Sequence, residues 1–166
     1  MRRLIGDIGG TNARFALVDG DGLPTEIRTL PVAGHPGLVE AALAYLAGRK
    51  VDEAVIAVAT PVETDLVRFT NSPWSFSVGE TAPRLGVARL AVINDFVAQA
   101  LAVPHLLPDE REQMGGGAPL RDRPIGVIGA GTGLGVAGLV EVGGHHVALA
   151  TEGGHASLAP GTPRER

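Results

Sequence analysis

Residues 5–15 read IGDIGGTNARF. An apolar stretch runs into Asp7 and the pair Gly9–Gly10, and a second apolar stretch leaves from Ala13. Glycine lets the backbone turn tightly and approach a ligand closely because it has no Cβ, and successive N–H groups in such a turn form a concave anion site. Thr11 can donate to a phosphate oxygen, and Asp7 can hold a water of a magnesium ion. The stretch therefore predicts a β-hairpin with a phosphate-binding loop; an ordinary glycine-rich turn is the alternative.

The composition narrows the classes of protein. The chain has 166 residues and a net charge of −4, which favours neither nucleic acid nor an anionic membrane as a partner. Its only lysine, Lys50, follows Arg49, which excludes a Walker P-loop because that motif requires a Gly-Lys pair. The lack of cysteine excludes disulfides, thiolate metal sites and a cysteine nucleophile. Asp7 and the glycines interrupt the N-terminal apolar stretch, so we expect no signal peptide and a cytoplasmic location.

The hydrophobic pattern predicts an α/β fold. Continuous apolar runs bounded by polar residues are typical of buried parallel strands, and apolar residues at helical spacing indicate helices. The predicted strands are Leu4–Ile8, Arg14–Asp19, Ile27–Val32, Ala54–Ala59, Leu66–Thr70 and Leu90–Ile93. The predicted helices are Leu38–Leu46, Glu80–Leu85 and Phe96–Val103, and residues 72–77 are expected to form a loop.

A second domain is expected to begin late in the chain. Residues 108–123 are polar, charged and glycine-rich, which predicts a linker between a first domain, 1–107, and a second, 124–166. The strands predicted after it are Ile125–Gly129, Gly135–Val142 and Val147–Ala150. No apolar stretch follows that could cover this sheet, so we expect the second domain to be incomplete and to self-associate.

A second glycine loop resembles the first. Gly10-Thr11 aligns with Gly131-Thr132 between apolar strands, which indicates two copies of one hairpin. Ile128 stands where the first copy has Asp7, so only the first copy can supply a carboxylate near a metal. The loop at residues 129–135, GAGTGLG, is not a dinucleotide-binding fingerprint because its glycine spacing is wrong. A plain hairpin loop is the alternative.

Asn94 and Asp95 follow a predicted buried strand and open a helix. The carboxyl ends of parallel strands are where α/β folds place ligands. An aspartate there can accept the proton of a substrate hydroxyl, as a general base does in phosphoryl transfer. Helix capping is an equally weighted explanation, because aspartate is a common N-cap residue.

Glu152 and His155 lie three residues apart on a tight glycine-containing loop, EGGH. A carboxylate and an imidazole so placed suit hydrogen bonding to neighbouring sugar hydroxyls, and a capping or solvent-exposed pair is the alternative. Two ligands fall short of a zinc motif. We expect His145-His146 to be exposed at a hairpin turn, and Trp74 to belong to the core rather than to a sugar platform.

Taken together, these motifs resemble bacterial glucokinases. The matching segments, which occur in family order, are residues 6–14 (GDIGGTNAR), Thr70-Asn71 with Trp74, residues 93–96 (INDF), residues 129–135 and residues 152–155 (EGGH). The resemblance implies a ribonuclease H-like (actin-like ATPase) small domain with a mixed sheet, followed by the first β-strands of a second, similar domain. It also implies ATP-dependent phosphorylation of glucose at O6, the first step of glycolysis.

The resemblance assigns roles to particular residues. Asp95 would be the catalytic base that takes the O6 proton, and Asn94, Asp95, Glu152 and His155 would bind glucose. The residues implied in ATP binding are Gly6, Asp7, Ile8, Gly9, Gly10, Thr11, Gly131, Thr132 and Gly133. Asp7 would also lie near Mg²⁺, held through water.

The motifs cover about the N-terminal half of the family pattern, so the sequence is interpreted as a truncated kinase with little or no turnover of its own. A non-catalytic half-kinase module that binds sugar is the second hypothesis. A structural or chaperone ATPase of the same superfamily is the third, although it has no use for Asn94-Asp95 and Glu152–His155 as a sugar set.

Overall fold

The computed structural model describes residues 1–118, 120, 123–130 and 133–157. The chain divides into two compact units, Met1–Asp95 and Phe96–Arg166. This division falls ahead of the linker predicted at 108–123, and the domain boundaries 1–107 and 124–166 stay predictions.

The first unit contains a mixed five-stranded sheet in the order β3-β2-β1-β4-β7. Its strands are β1 (Arg2–Ile8), β2 (Asn12–Asp19), β3 (Thr25–Pro31), β4 (Glu53–Val58) and β7 (Arg89–Asn94). β1–β2 and β2–β3 are antiparallel, whereas β1–β4 and β4–β7 are parallel. Parallel neighbours require crossover connections, which contain the helices α1 (Leu38–Leu46) and α2 (Val78–Leu85). The predicted α/β class is confirmed.

Helix α1 supplies much of the core of this unit. It buries Leu38, Val39, Ala41, Ala42, Tyr45 and Leu46. They form one cluster with inward-facing residues of β1, β2 and β4, among them Leu4, Phe15 and Ile56. The helix has its predicted bounds, but its C-cap is Ala47, in the left-handed region at φ 48°, with Gly48 following at φ 83°.

Residues 72–77 differ from the expected loop, because Ser75–Ser77 form the short strand β6, paired with β5 (Leu66–Arg68). The sequence did not indicate this strand because two of its three residues, Ser75 and Ser77, are serines. The residue between them, Phe76, pairs with Val67, and both are buried. Trp74 is also buried and its indole N–H donates to the His35 carbonyl at 3.0 Å, so the core interpretation of Trp74 is correct.

The second unit contains a three-stranded antiparallel sheet in the order β10-β9-β8. Its strands are β8 (Ile125–Ala130), β9 (Leu134–Val142) and β10 (His145–Ala150), close to the predicted bounds. Helix α3 (Asp95–Ala102) begins at the last residue of the first unit, and its Ala100 is buried with Ala137 and Leu139. Within the described ranges, none of the helices has the length and hydropathy that crossing a membrane requires.

Candidate active site

The predicted ligand-binding residues of the first unit collect at one edge of its sheet. Ile8 of β1 lies level with Val58 of β4, and Val58 lies level with Asn94 of β7. All three strands end here, because they are parallel. Neighbouring strands are about 4.8 Å apart, so β1 and β7 are separated by about 10 Å. The loop after β1 and the Asn94-Asp95 pair therefore leave the sheet at the same carboxyl edge.

Backbone contacts define the glycine loop that joins β1 to β2. The Gly9 N–H donates to the Asn12 carbonyl at 2.9 Å, and the Thr11 carbonyl accepts from the Val32 N–H at 2.9 Å. A Cβ on Gly10 would lie 2.7 Å from the Asn71 carbonyl oxygen, which real Cβ atoms do not tolerate. Gly10 thus brings two of the predicted motifs, residues 6–14 and Thr70-Asn71, into direct contact.

Gly6 and Ile8, both predicted for ATP binding, lie within β1 rather than in the loop. A Cβ on Gly6 would lie 2.8 Å from the Ile56 side chain and 3.2 Å from the Phe15 ring. Ile8 is completely buried. The structure therefore gives Gly6 and the Ile8 side chain a packing function in β1, immediately before the loop.

Asp7 points to the opposite face of the sheet, next to Arg14 of β2, with which it is paired in register. The Arg14 Nη1 and Asp7 Oδ2 atoms are 3.4 Å apart, and both side chains are 60% exposed. Such an exposed ion pair contributes little to stability, so the carboxylate remains accessible to a ligand. Among the described residues there is no cluster of three or more His, Cys, Asp or Glu side chains. One exposed carboxylate fits Mg²⁺, which commonly binds through one or two carboxylates together with substrate phosphates.

Asn94 is held by Thr60, a residue that no motif of the sequence indicated. Its side-chain N–H donates to the Thr60 carbonyl at 3.4 Å, while the Thr60 hydroxyl donates to the Arg68 carbonyl at 2.9 Å. Thr60 is buried and follows β4 at the same edge. The sequence feature that could have indicated Thr60 is its position just after a buried strand. Asp95 is half-buried and is the first residue of α3.

The structure brings Glu152 and His155 together in the second unit. The His155 Nδ1 and Glu152 Oε2 atoms are 3.0 Å apart, and both side chains are largely exposed. Residues Gly153–His155 form one turn of 3₁₀ helix that packs against the start of β9. A Cβ on Gly154 would lie only 1.6 Å from the Leu134 carbonyl oxygen, so this position admits only glycine.

The second glycine loop is described only in part. Gly131 and Thr132 lie outside the described residues, and Gly133 is exposed. Gly129 of β8 and Gly135 of β9 face each other in register at the end of the hairpin. The ring of Phe96 packs on both glycines, and the sequence does not indicate this contact because it joins residues more than thirty positions apart.

Comparison with solved structures assigns the chain to a class of protein by its fold. The chain superimposes on a glucokinase from an Antarctic psychrotroph with a TM-score of 0.86 and 37% identity, covering 99% of this chain and 54% of that one. It also superimposes on a ROK family glucokinase from Streptomyces griseus in complex with glucose and AMPPNP, with a TM-score of 0.62 and 22% identity, covering 96% and 52%. The fold is thus the actin-like ATPase fold of sugar kinases.

Sequence comparison narrows this class to one family. The Glucokinase family model matches residues 4–166. A glucokinase from Aromatoleum aromaticum is 53% identical over 98% of this chain. The chain belongs to the glucokinase family, as its motifs predicted, and it spans 51% of the length of that relative.

Proposed function

We propose that this chain is the N-terminal half of an ATP-dependent glucose kinase, which transfers the γ-phosphoryl group of ATP to O6 of glucose and yields glucose 6-phosphate and ADP. One observation carries the proposal most directly: the Gly9–Thr11 loop and the Asn94-Asp95 pair leave the same edge of one sheet, across the register Ile8–Val58–Asn94. A phosphate-binding loop beside a general base is the minimum that phosphoryl transfer requires.

In this proposal Asp95 is the general base. Its carboxylate accepts the O6 proton while O6 attacks the γ-phosphorus, and the bond from that phosphorus to the β–γ bridging oxygen breaks. Asn94, whose amide is held by Thr60, binds the sugar beside Asp95. Glu152 and His155, already paired, bind further sugar hydroxyls. Most of the rate acceleration comes from positioning and charge stabilisation, because phosphoryl transfer asks little covalent chemistry of the protein.

The remaining proposed residues act on ATP. Gly9, Gly10 and Thr11 offer backbone N–H groups and a hydroxyl to phosphate oxygens, and Gly131, Thr132 and Gly133 form the second loop. Asp7 would hold Mg²⁺ through water, and the metal, when bound, would neutralise charge that develops on the transferred phosphoryl group. The S. griseus neighbour bound to glucose and AMPPNP supports this choice of substrates. We place the reaction in the cytoplasm, where ATP and glucose are both available.

Because this chain spans about half of its relative, the decisive test uses a chimera that continues it with the C-terminal half of the A. aromaticum glucokinase. We expect the chimera to form glucose 6-phosphate in a coupled assay. The Asp95→Asn chimera should lose on the order of 10²- to 10⁴-fold in kcat, with a smaller change in KM for glucose. Asp109→Asn, an exposed carboxylate elsewhere, is the matched control. Full activity of Asp95→Asn would exclude Asp95 as the base.

The second candidate function is a half-kinase that binds sugar without catalysis, and it is favoured by the share of the family that this chain spans. Calorimetry on the 166-residue chain separates the two. Glucose binding without ATP binding supports the module, whereas binding of both with turnover supports a complete enzyme. Glucose-independent ATP hydrolysis would instead favour a structural or chaperone ATPase. We expect little or no turnover by this chain alone.

A further inference from the structure

An aromatic ring occupies the space that two facing glycines leave open. Gly129 and Gly135 are cross-strand partners, and they bracket the second glycine loop. A Cβ built on Gly135 would lie 1.8 Å from Cε2 of Phe96, and one on Gly129 would lie 2.7 Å from its Cζ. Neither distance is possible for real atoms. The ring of Phe96 therefore lies directly on the backbone of both residues, and only glycine fits at either position.

The ring belongs to a small packed cluster. Phe96 and Leu101 of α3 pack with Val127 of β8, Ala148 of β10 and the buried residues Ala100, Ala137 and Leu139. Glycine inside a strand ordinarily weakens it and marks a place where another group approaches closely. Gly129 and Gly135 mark such a place, because they lie opposite each other and the ring of Phe96 packs on both. The contact fixes where the end of the β8–β9 hairpin lies against the first turn of α3.

The first turn of α3 also carries the proposed general base. Helix α3 begins at Asp95, and Phe96 is the next residue. A displacement of the Phe96 backbone is thus a displacement of Asp95. Catalytic groups must keep their geometry closely, and a shift of about 1 Å can cost on the order of 10²-fold in rate.

We propose that Phe96 is a positioning residue: by packing its ring on Gly129 and Gly135, it fixes the first turn of α3, the turn in which Asp95 is the first residue. The role rests on the proposed function, since it acts through the general base. Phe96 itself touches no substrate in this scheme. The contact with the glycine pair, by contrast, is independent of any activity.

The contact is tested on the 166-residue chain by thermal unfolding. Gly135→Ala should lower Tm by several degrees, roughly 2–4 °C or more for a chain of this size, because the new methyl group meets the ring. Gly126→Ala is the matched control: it lies on the same hairpin, with nothing within 4 Å of an added Cβ, and should leave Tm nearly unchanged.

Coupling between the two residues distinguishes direct contact from general destabilisation. In the Phe96→Leu background the Tm loss caused by Gly135→Ala should shrink to about half or less, since residues in contact have non-additive effects. Phe96→Ala provides a second background with more room. If the Tm losses are additive in whichever Phe96 variant folds, the contact is overturned and the proposal with it. The same holds if Gly126→Ala and Gly135→Ala lower Tm equally.

The positioning role is tested on the chimera, at a temperature well below Tm. Phe96→Leu should lower kcat by roughly 10- to 10²-fold while KM for glucose changes little, and Phe96→Tyr, which keeps the ring, should restore most of kcat. An unchanged kcat for Phe96→Leu in an active chimera would overturn the positioning role alone. A chimera without any glucose-dependent turnover would overturn the proposed function and the role built on it, and would leave the Tm coupling standing.

Discussion

Gly10 shows how a missing side chain holds two parts of the candidate site together. Its Cα packs against Asn71, where a Cβ would come within 2.7 Å of the carbonyl oxygen. Gly9, its neighbour, has only an ordinary contact in the same test, 3.6 Å to the Asn12 carbonyl oxygen. The two adjacent glycines therefore respond differently to the same substitution.

We expect Gly10→Ala to lower the free energy of unfolding by about 1–3 kcal/mol, the usual cost of forcing an extra carbon into a packed site. Gly9→Ala should cost clearly less. Thermal or urea unfolding of the two variants measures the difference without reference to ligand binding. Equal stability of Gly10→Ala and Gly9→Ala would show that the Asn71 contact is not rigid.

Among single residues, the sequence indicated those whose residue type itself suggests ligand binding. Gly9, Gly10 and the Asn94-Asp95 pair stood out because glycines, acids and amides at strand ends indicate a ligand site. Phe96 belongs to the motif at residues 93–96, but neither its ring contact nor Thr60 was indicated by the sequence, because the importance of both lies in what they touch. Thr60 meets Asn94 across 34 positions of sequence, and no local pattern encodes that contact.

Among the elements, α2 depends on a carboxylate from outside the helix. Ser77 is its N-cap, and the Ser77 side chain accepts from the Glu80 N–H. Asp65 adds a second acceptor, for the Gly79 N–H at 2.7 Å. Hydrogen bonds from the Ser77 side chain and the Gly79 backbone lower the pKa of the Asp65 carboxyl below its ordinary value.

This lowered pKa of Asp65 predicts a pH dependence with a definite sign. The stabilisation is fully present above the ordinary carboxyl pKa of 3.8 and is lost as pH falls through the lower pKa of the folded state. Asp65→Asn should therefore have a lower Tm than the parent at pH 7, and the gap should close at strongly acidic pH. Asp21→Asn, in the turn after β2, is the control. A Tm difference that does not vary with pH would contradict the capping role of Asp65.

The sequence predicted long elements better than short ones. Leu38–Leu46 was predicted to the residue because its apolar spacing repeats over more than two turns. The β5–β6 pair was found only in part, since three-residue strands carry too little pattern and Ser75–Ser77 is defined by its partner. Helix α2 also begins two residues earlier than Glu80 because its caps, Ser77 and Asp65, were not recognised.

At the largest scale, the outstanding feature is an apolar face of the second unit's sheet that is exposed among the described residues. On β8–β10, one face packs on α3, while the other exposes large apolar side chains among the described residues. They include Ile128 at 70%, Val142 at 60% and Leu149 at 46%. Exposed apolar area of this kind marks an interaction surface or an aggregation hazard.

We expect the isolated chain to self-associate through this face. Light scattering at tens of micromolar should give a mass above that of the monomer, and Ile128→Lys should shift it toward the monomer because a buried charge opposes association. Leu23→Lys, at a position 85% exposed between β2 and β3, should have no such effect. A monomer at all concentrations would refute the expectation.

Ile8, Val58 and Asn94 form a row of paired residues across three neighbouring strands. This row limits which insertions and deletions proteins of this kind can accept. Side chains alternate between the two faces of a strand, so losing or gaining one residue within β4 or β7 would turn every later side chain to the other face. The Asn94 amide would then leave its Thr60 partner. Insertions in the connecting loops leave this row intact. Natural variants should therefore differ in loop length while the residue counts of β4 and β7 stay fixed.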